Sequence, residues 1–163
     1  MARKDKSEKG DPLWISRLLL NTCGVYEWGY RAGVRKMMPP DSIHMTLATV
    51  RTPVIWGDLE LQNDELVIPA GLKTVQIFAF TIKALTFGDP RVKARHEWLV
   101  ERFPEIDHRI LRPHVSLYKG GTMPRLPYEG ELVFGPERAM VFDAENAAGI
   151  KHIKLADHIK GCR

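Results

Sequence analysis

The sequence predicts an α+β fold in which a sheet carries helices on its outer face. Three observations lead there. Segments with strand periodicity outnumber helical ones, and the two kinds follow no regular alternation. The whole chain is 163 residues and 18.6 kDa with 44% hydrophobic residues, which suits one domain around a single core.

Taken in order, residues 1 to 11 are polar and aperiodic and read as a disordered lead-in, so a single domain is expected over residues 12 to 163, opened by Pro12. Leu13-Trp14-Ile15-Ser16-Arg17-Leu18-Leu19-Leu20 reads as a first core strand ending at Asn21. Residues 22 to 34, with Val25, Trp28 and Tyr30 among polar neighbours, read as a short helix stopped near Gly33. Pro39-Pro40-Asp41 then forces a turn. From Ile43 to Val50 the chain alternates, with Ile43, Met45 and Leu47 on one face and His44, Thr46 and Ala48 on the other. A polar stretch over residues 57 to 65 separates this from residues 73 to 82, the strongest strand by pattern and expected to run unbroken. Residues 90 to 103 make an amphipathic helix begun by Asp89-Pro90, a cap followed by a first-turn proline, with Trp98 packing inward. Pro113 leads into a period-two strand over residues 114 to 118, ended by Gly120-Gly121. Two further strands are expected over residues 132 to 134 and 139 to 142, separated by Gly135-Pro136.

The formal charge of +4 and the pI near 9.1 favour an anionic partner. Because 20 acidic residues are interspersed with the 24 basic ones, a phosphate-bearing small substrate fits better than a stable DNA complex. Cys23 and Cys162 lie in no C-x-x-C arrangement, and the expectation is a pair of reduced thiols in an intracellular protein. The opening residues are charged, and no stretch approaches the roughly 18 apolar residues of a membrane span. A soluble, cytoplasmic, unprocessed protein is expected. No glycine-rich phosphate loop of the NTPase kind is present.

The chemistry lies in a repeated motif. Each half of the chain holds one His-x-Thr/Ser-Leu strand, His44-Met45-Thr46-Leu47 and His114-Val115-Ser116-Leu117. Residues i and i+2 of a strand share a face, so each motif presents one imidazole and one hydroxyl together. Two imidazoles can trade protons near neutral pH as acid and base, and two hydroxyls can bind phosphate oxygens, which is the equipment for phosphodiester cleavage without a metal. No set of His, Cys, Asp and Glu has the spacing to complete a zinc site around the histidines, and no cofactor is expected. One such motif is commonplace; a second, in the same setting after a proline turn, is what gives the signal its weight.

These residues resemble the two-histidine (2H) phosphoesterases, and within them most closely the phage anti-CBASS phosphodiesterases. The likeness runs through Leu13-Trp14-Ile15-Ser16-Arg17, Pro39-Pro40-Asp41-Ser42-Ile43-His44-Met45-Thr46, Arg51-Thr52-Pro53-Val54-Ile55-Trp56, Ala94-Arg95-His96-Glu97-Trp98 and Pro113-His114-Val115-Ser116-Leu117-Tyr118, covering most of residues 13 to 121. The resemblance implies a bilobal fold in which an antiparallel sheet lines a central cleft, with His44, Thr46, His114 and Ser116 catalytic. It implies a viral or prophage protein that opens 3′–5′-linked cyclic di- or trinucleotides in the host cytosol to silence antiviral signalling. Trp14 stands where the family has tyrosine and offers a base-stacking face. Tyr118 offers a second stacking face, Arg17 and Arg51 are candidates to hold phosphate bidentately, and the resemblance implies Glu145 as a base contact. Two other readings stay open: an RNA-processing 2H esterase acting on 2′,3′-cyclic phosphate ends, and an idle module that only binds nucleotides or RNA. Base preference, oligomeric state and the choice of acid and base are not legible.

Overall fold

The computed structural model describes residues 10–79, 81–143 and 150–162. The opening apolar run forms β1 (Asp11–Leu19), in which Leu13, Ile15 and Leu19 alternate into the core. The helix α1 (Thr22–Arg31) follows and stops before Gly33, whose φ of +89° is a left-handed geometry that glycine adopts without strain. A short strand β2 (Lys36–Met37) and a 3-10 turn at Pro40–Ser42 lead into β3 (His44–Val54). Then come β4 (Leu66–Ile68), the hairpin of β5 (Thr74–Phe78) and β6 (Ile82–Thr86), and α2 (Pro90–Arg102). The remaining elements are β7 (His114–Lys119), β8 (Leu132–Val141), β9 (Ile153–Lys154) and α3 (Leu155–His158), with a final 3-10 turn at Ile159–Cys162.

Seven strands form one antiparallel sheet in the order β4-β8-β1-β3-β7-β6-β5, while β2 and β9 pair apart. The first strand therefore sits inside the sheet, between β8 and β3. The central seam is thin. β1 and β3 pair from Asp11↔Val54 to Leu18↔His44, but β3 meets β7 through Met45↔Val115 alone. On either side of that seam lie a four-stranded and a three-stranded half, and the innermost strand of each carries one histidine motif.

Met45 and Val115 are fully buried on the core face, and α2 packs behind β3, where His96 Nδ1 lies 2.7 Å from the Leu47 carbonyl. α2 begins as its sequence demands. The Asp89 carboxylate accepts from the backbone N–H of Arg91 (2.8 Å) and Val92 (3.2 Å), with Pro90 in the first turn where its missing N–H has no cost.

Five expectations need correction. The run over residues 73 to 82 is not one strand: it is interrupted after Phe78 by Ala79 at a φ of 42°, and a new strand starts at Ile82. Conversely, residues 132 to 141 are one strand across Gly135-Pro136. Arg17 pairs with Glu137 and Leu19 with Phe134, so the dipeptide forms a bulge, and Pro136 costs the ladder nothing there. The alternation of β3 also breaks, because Ile15 pairs with Ala48 but Ser16 with Thr46, leaving Leu47 as an extra residue that turns Thr49 rather than Ala48 towards the cleft. Trp98 is 43% exposed, with the Arg95 guanidinium 4.5 Å from its ring centroid.

The fifth correction concerns the thiols. The C-terminal turn docks beside α1 and brings the Cα atoms of Cys23 and Cys162 to 5.5 Å, where they form a disulfide. Sequence spacing hid this, since the two positions are 139 residues apart and meet only through the tertiary fold.

Candidate active site

Counting outward from the Met45↔Val115 pair, antiparallel register sets His44 opposite Ser116 and Thr46 opposite His114. All four predicted catalytic side chains thus share one face of the sheet at the seam. Each imidazole is held the same way. His44 Nδ1 lies 2.8 Å from the Ser42 carbonyl and His114 Nδ1 lies 2.7 Å from the Arg112 carbonyl. A carbonyl only accepts, so Nδ1 carries a proton in both rings and Nε2 is the nitrogen left for proton transfer. In both motifs the carbonyl belongs to the residue two positions before the ring.

A cleft of about 640 Å³ opens on this face beside β1, β3 and β8, lined by Trp14, His44, Thr46, Thr49, Arg138 and Met140 among others. Trp14 Nε1 donates to Thr46 Oγ1 at 3.1 Å, and the indole meets the His44 ring edge-on at 4.9 Å. With an indole N–H on its oxygen, the Thr46 hydroxyl is turned to donate its own hydrogen outward. On the other half, Phe78 stacks on His114 with centroids 4.5 Å apart and planes 12° from parallel.

Burial chiefly lowers the pKa of His44 below the ordinary imidazole value; the Ser42 carbonyl opposes this, and the charges of Arg138 and His114 reinforce it. His44 is therefore disposed to be neutral, which suits a base. Among the described residues no group of three or more His, Cys, Asp and Glu is assembled that could hold a metal ion.

The remaining candidates divide. Trp14 lines the cleft, as expected. Arg17 does not: it points to the opposite face, 3% exposed, donating to the carbonyls of Asp64 (2.7 Å) and Gly135 (2.8 Å) and to Gln62 Oε1 (3.2 Å), beside the Arg95–Glu137 ion pair. A buried guanidinium needs this many acceptors, and its role is to tie β1 to β8 and the 62–64 loop. Tyr118 is also withdrawn. It is 4% exposed, its hydroxyl donates to the Thr122 carbonyl at 2.6 Å, and burial pushes its pKa up to about 12. It lines a separate concavity with Lys36, Lys119 and His152. Arg51 pairs with Asp107 at the surface. Glu145 lies outside the described residues.

Sequence reasoning missed Ser16, Phe78 and Arg138. The signal for Arg138 was present: it stands directly before the apolar stretch from Ala139 to Phe142, and it shares the parity of the cleft residue Met140. Phe78 was hidden inside the run mistaken for one strand.

No family model matches the chain. Over 145 residues it is 30% identical to the anti-CBASS protein Acb1 of Caulobacter sp. (strain RHG1), covering 83% of this chain and 23% of that protein. It is 28% identical to the protein of the same name from Sphingomonas paeninsulae, covering 77% and 22%. The chain thus spans less than a quarter of the length of the curated relatives it matches. Among solved structures, apo E. coli LigT superposes with a TM-score of 0.57 at 11% identity, over 90% of this chain and 95% of LigT. LigT complexed with 3′-AMP gives 0.53 and a further phosphoesterase 0.54, each at 11% identity over 90% of this chain. At that identity the likeness is one of fold, and it bears out the expected α+β architecture of the two-histidine phosphoesterases. The sequence resemblance to the anti-CBASS proteins is borne out as well.

Proposed function

We propose, for a chain with the two-histidine phosphoesterase fold and a likeness to anti-CBASS proteins, that it is a metal-independent phosphodiesterase opening 3′–5′-linked cyclic di- or trinucleotides, so that the host's CBASS alarm is silenced in its cytosol. The observation that carries this reading is the matched pair of imidazoles, each with Nδ1–H tied to a carbonyl and Nε2 left for proton transfer. No helix of the described residues is long and apolar enough to cross a membrane.

The geometry supports the following reaction. His44, disposed to be neutral, takes the proton of the ribose 2′-hydroxyl, whose oxygen attacks the adjacent phosphorus. The P–O5′ bond breaks, and His114, entering the step with a second proton on Nε2, gives that proton to the departing 5′-oxygen. The products are a 2′,3′-cyclic phosphate end and a 5′-hydroxyl on a linear chain. An attacking group already held beside the phosphorus removes about 7 to 11 kcal/mol of barrier relative to a separate nucleophile. Thr46 and Ser116 donate to the non-bridging oxygens as charge builds on them.

The test is incubation with a panel of cyclic di- and trinucleotides in EDTA, followed by chromatography. Linear product from the wild type and none from the His44→Ala/His114→Ala double variant is expected. Rings that stay intact across the panel would overturn the reading.

A further inference from the structure

We propose that Arg138 is a catalytic residue whose guanidinium binds a non-bridging oxygen of the scissile phosphate; the inference rests on the phosphodiesterase reading above. Its position carries the first part of the argument. Ser16 pairs with Arg138 on one side and with Thr46 on the other, so Arg138, Ser16 and Thr46 form a row across β8, β1 and β3 that the antiparallel count extends to His114 on β7. Adjacent strands are about 4.8 Å apart. Arg138 Nη2 reaches the Ser16 hydroxyl at 3.4 Å, so the guanidinium lies over the strand next to the one bearing His44 and Thr46.

Its bonding carries the second part. Arg138 Nε is buried without a hydrogen-bond partner, and the Ser16 contact is long. The other arginines near this part of the sheet are spent on the opposite face, Arg17 on carbonyls and Arg95 on Glu137. A guanidinium whose Nε has no partner and whose Nη2 holds only a long contact, on the wall of a largely apolar cleft, is matched to a planar pair of phosphate oxygens. Leaving a buried donor unpaired is a cost that the fold has no structural reason to bear here.

The charge also acts on the proton-transfer machinery. The charged and titratable groups around His44 are Arg138 from β8, His114 from β7, Asp41 from the 3-10 turn and Asp143 just beyond β8. Burial is the main reason His44 resists a proton and the Arg138 charge adds to it, so Arg138 helps to keep this imidazole available as a base while it holds the phosphate.

The experiment has two arms. Inorganic phosphate is titrated into wild-type protein and Arg138→Gln while the His44 and His114 ring signals are followed by NMR. Phosphate binding should weaken about tenfold or more in the variant, and the His44 titration should move to higher pH, whereas Arg138→Lys should keep His44 near its wild-type midpoint. In the second arm, Arg138→Gln should lose about 30-fold or more in kcat on a cyclic dinucleotide with the circular dichroism unchanged. Equal phosphate affinity with an unmoved His44 midpoint overturns the proposal, whatever the turnover. A wild type that cleaves no ring but shows the phosphate and pH effects leaves Arg138 as the anion ligand and removes the phosphodiesterase reading instead.

Discussion

Replacing Trp14 with phenylalanine removes one hydrogen bond and keeps an aromatic face, which separates two roles for this residue. In the folded protein the indole N–H donates to Thr46 Oγ1 at 3.1 Å in a partly buried setting. A bond of that kind contributes about 0.5 to 1.5 kcal/mol net. If its work is to aim the Thr46 hydroxyl at the phosphate, Trp14→Phe should lower kcat by roughly 2- to 12-fold, since 1.36 kcal/mol corresponds to tenfold. Thr46→Ala, which removes the donor itself, should cost on the order of 100-fold, the lower end of what a preorganised oxyanion donor is worth. The double variant should be no slower than Thr46→Ala, because once the hydroxyl is gone there is nothing left for the indole to orient. Steady-state kinetics on one cyclic dinucleotide settles this. A Trp14→Phe effect confined to KM, and additive with Thr46→Ala, would show that the indole is a stacking platform and refute the positioning argument.

Other outcomes follow from the same structure. His44→Ala and His114→Ala should each lose about 10²- to 10⁴-fold in rate with the fold intact, because both side chains leave the core to Met45 and Val115; an unfolded or fully active variant contradicts the assignment. Because the pKa of His44 is drawn down, mainly by burial, the base stays unprotonated to lower pH than a free imidazole. The acid limb of kcat/KM should therefore fall below about pH 6.5, and a limb above that value would exclude His44 as the base. A ring lacking the 2′-hydroxyl beside the scissile phosphate should bind and be cut far more slowly, and equal rates would mean that water attacks. Reducing Cys23–Cys162, which closes a separation of 139 residues, should remove up to about 5 kcal/mol of stability, read as a lower urea midpoint. Turnover should persist in the reduced protein, and an unmoved midpoint would show that the bond leaves the unfolded chain unconstrained.

The parts of the fold that sequence revealed are those in which local chemistry and global structure agree. Asp89-Pro90 joins a capping carboxylate to a first-turn proline ahead of an amphipathic run, and the two His-x-Thr/Ser segments alternate cleanly enough to place all four side chains on one face. The misreadings have local causes. Ala79 turns the chain at a φ of 42° with no glycine, proline or asparagine to mark it, and Gly135-Pro136 looks like a break but is a bulge. Arg17 was legible in principle, since it shares its parity with Leu13, Ile15 and Leu19, and the alternation already consigned it to the core face. What no single segment could disclose is the meeting of remote ones: Arg138 beside Ser16 and Thr46, Phe78 over His114, and Cys162 against Cys23.

The Met45↔Val115 seam gives the scaffold a mechanical character. Two laddered plates, one of four strands and one of three, meet in the sheet at a single residue pair, and each plate carries one of the two motif histidines. Bending a well-laddered sheet means stretching many hydrogen bonds together, whereas tilting one plate against the other strains far fewer in the sheet. The line between the two imidazoles is thus the most thinly laddered in the sheet. Under the proposed activity, rings of two and three nucleotides present the same phosphodiester at different curvature, and a seam able to tilt would admit both without rebuilding either side.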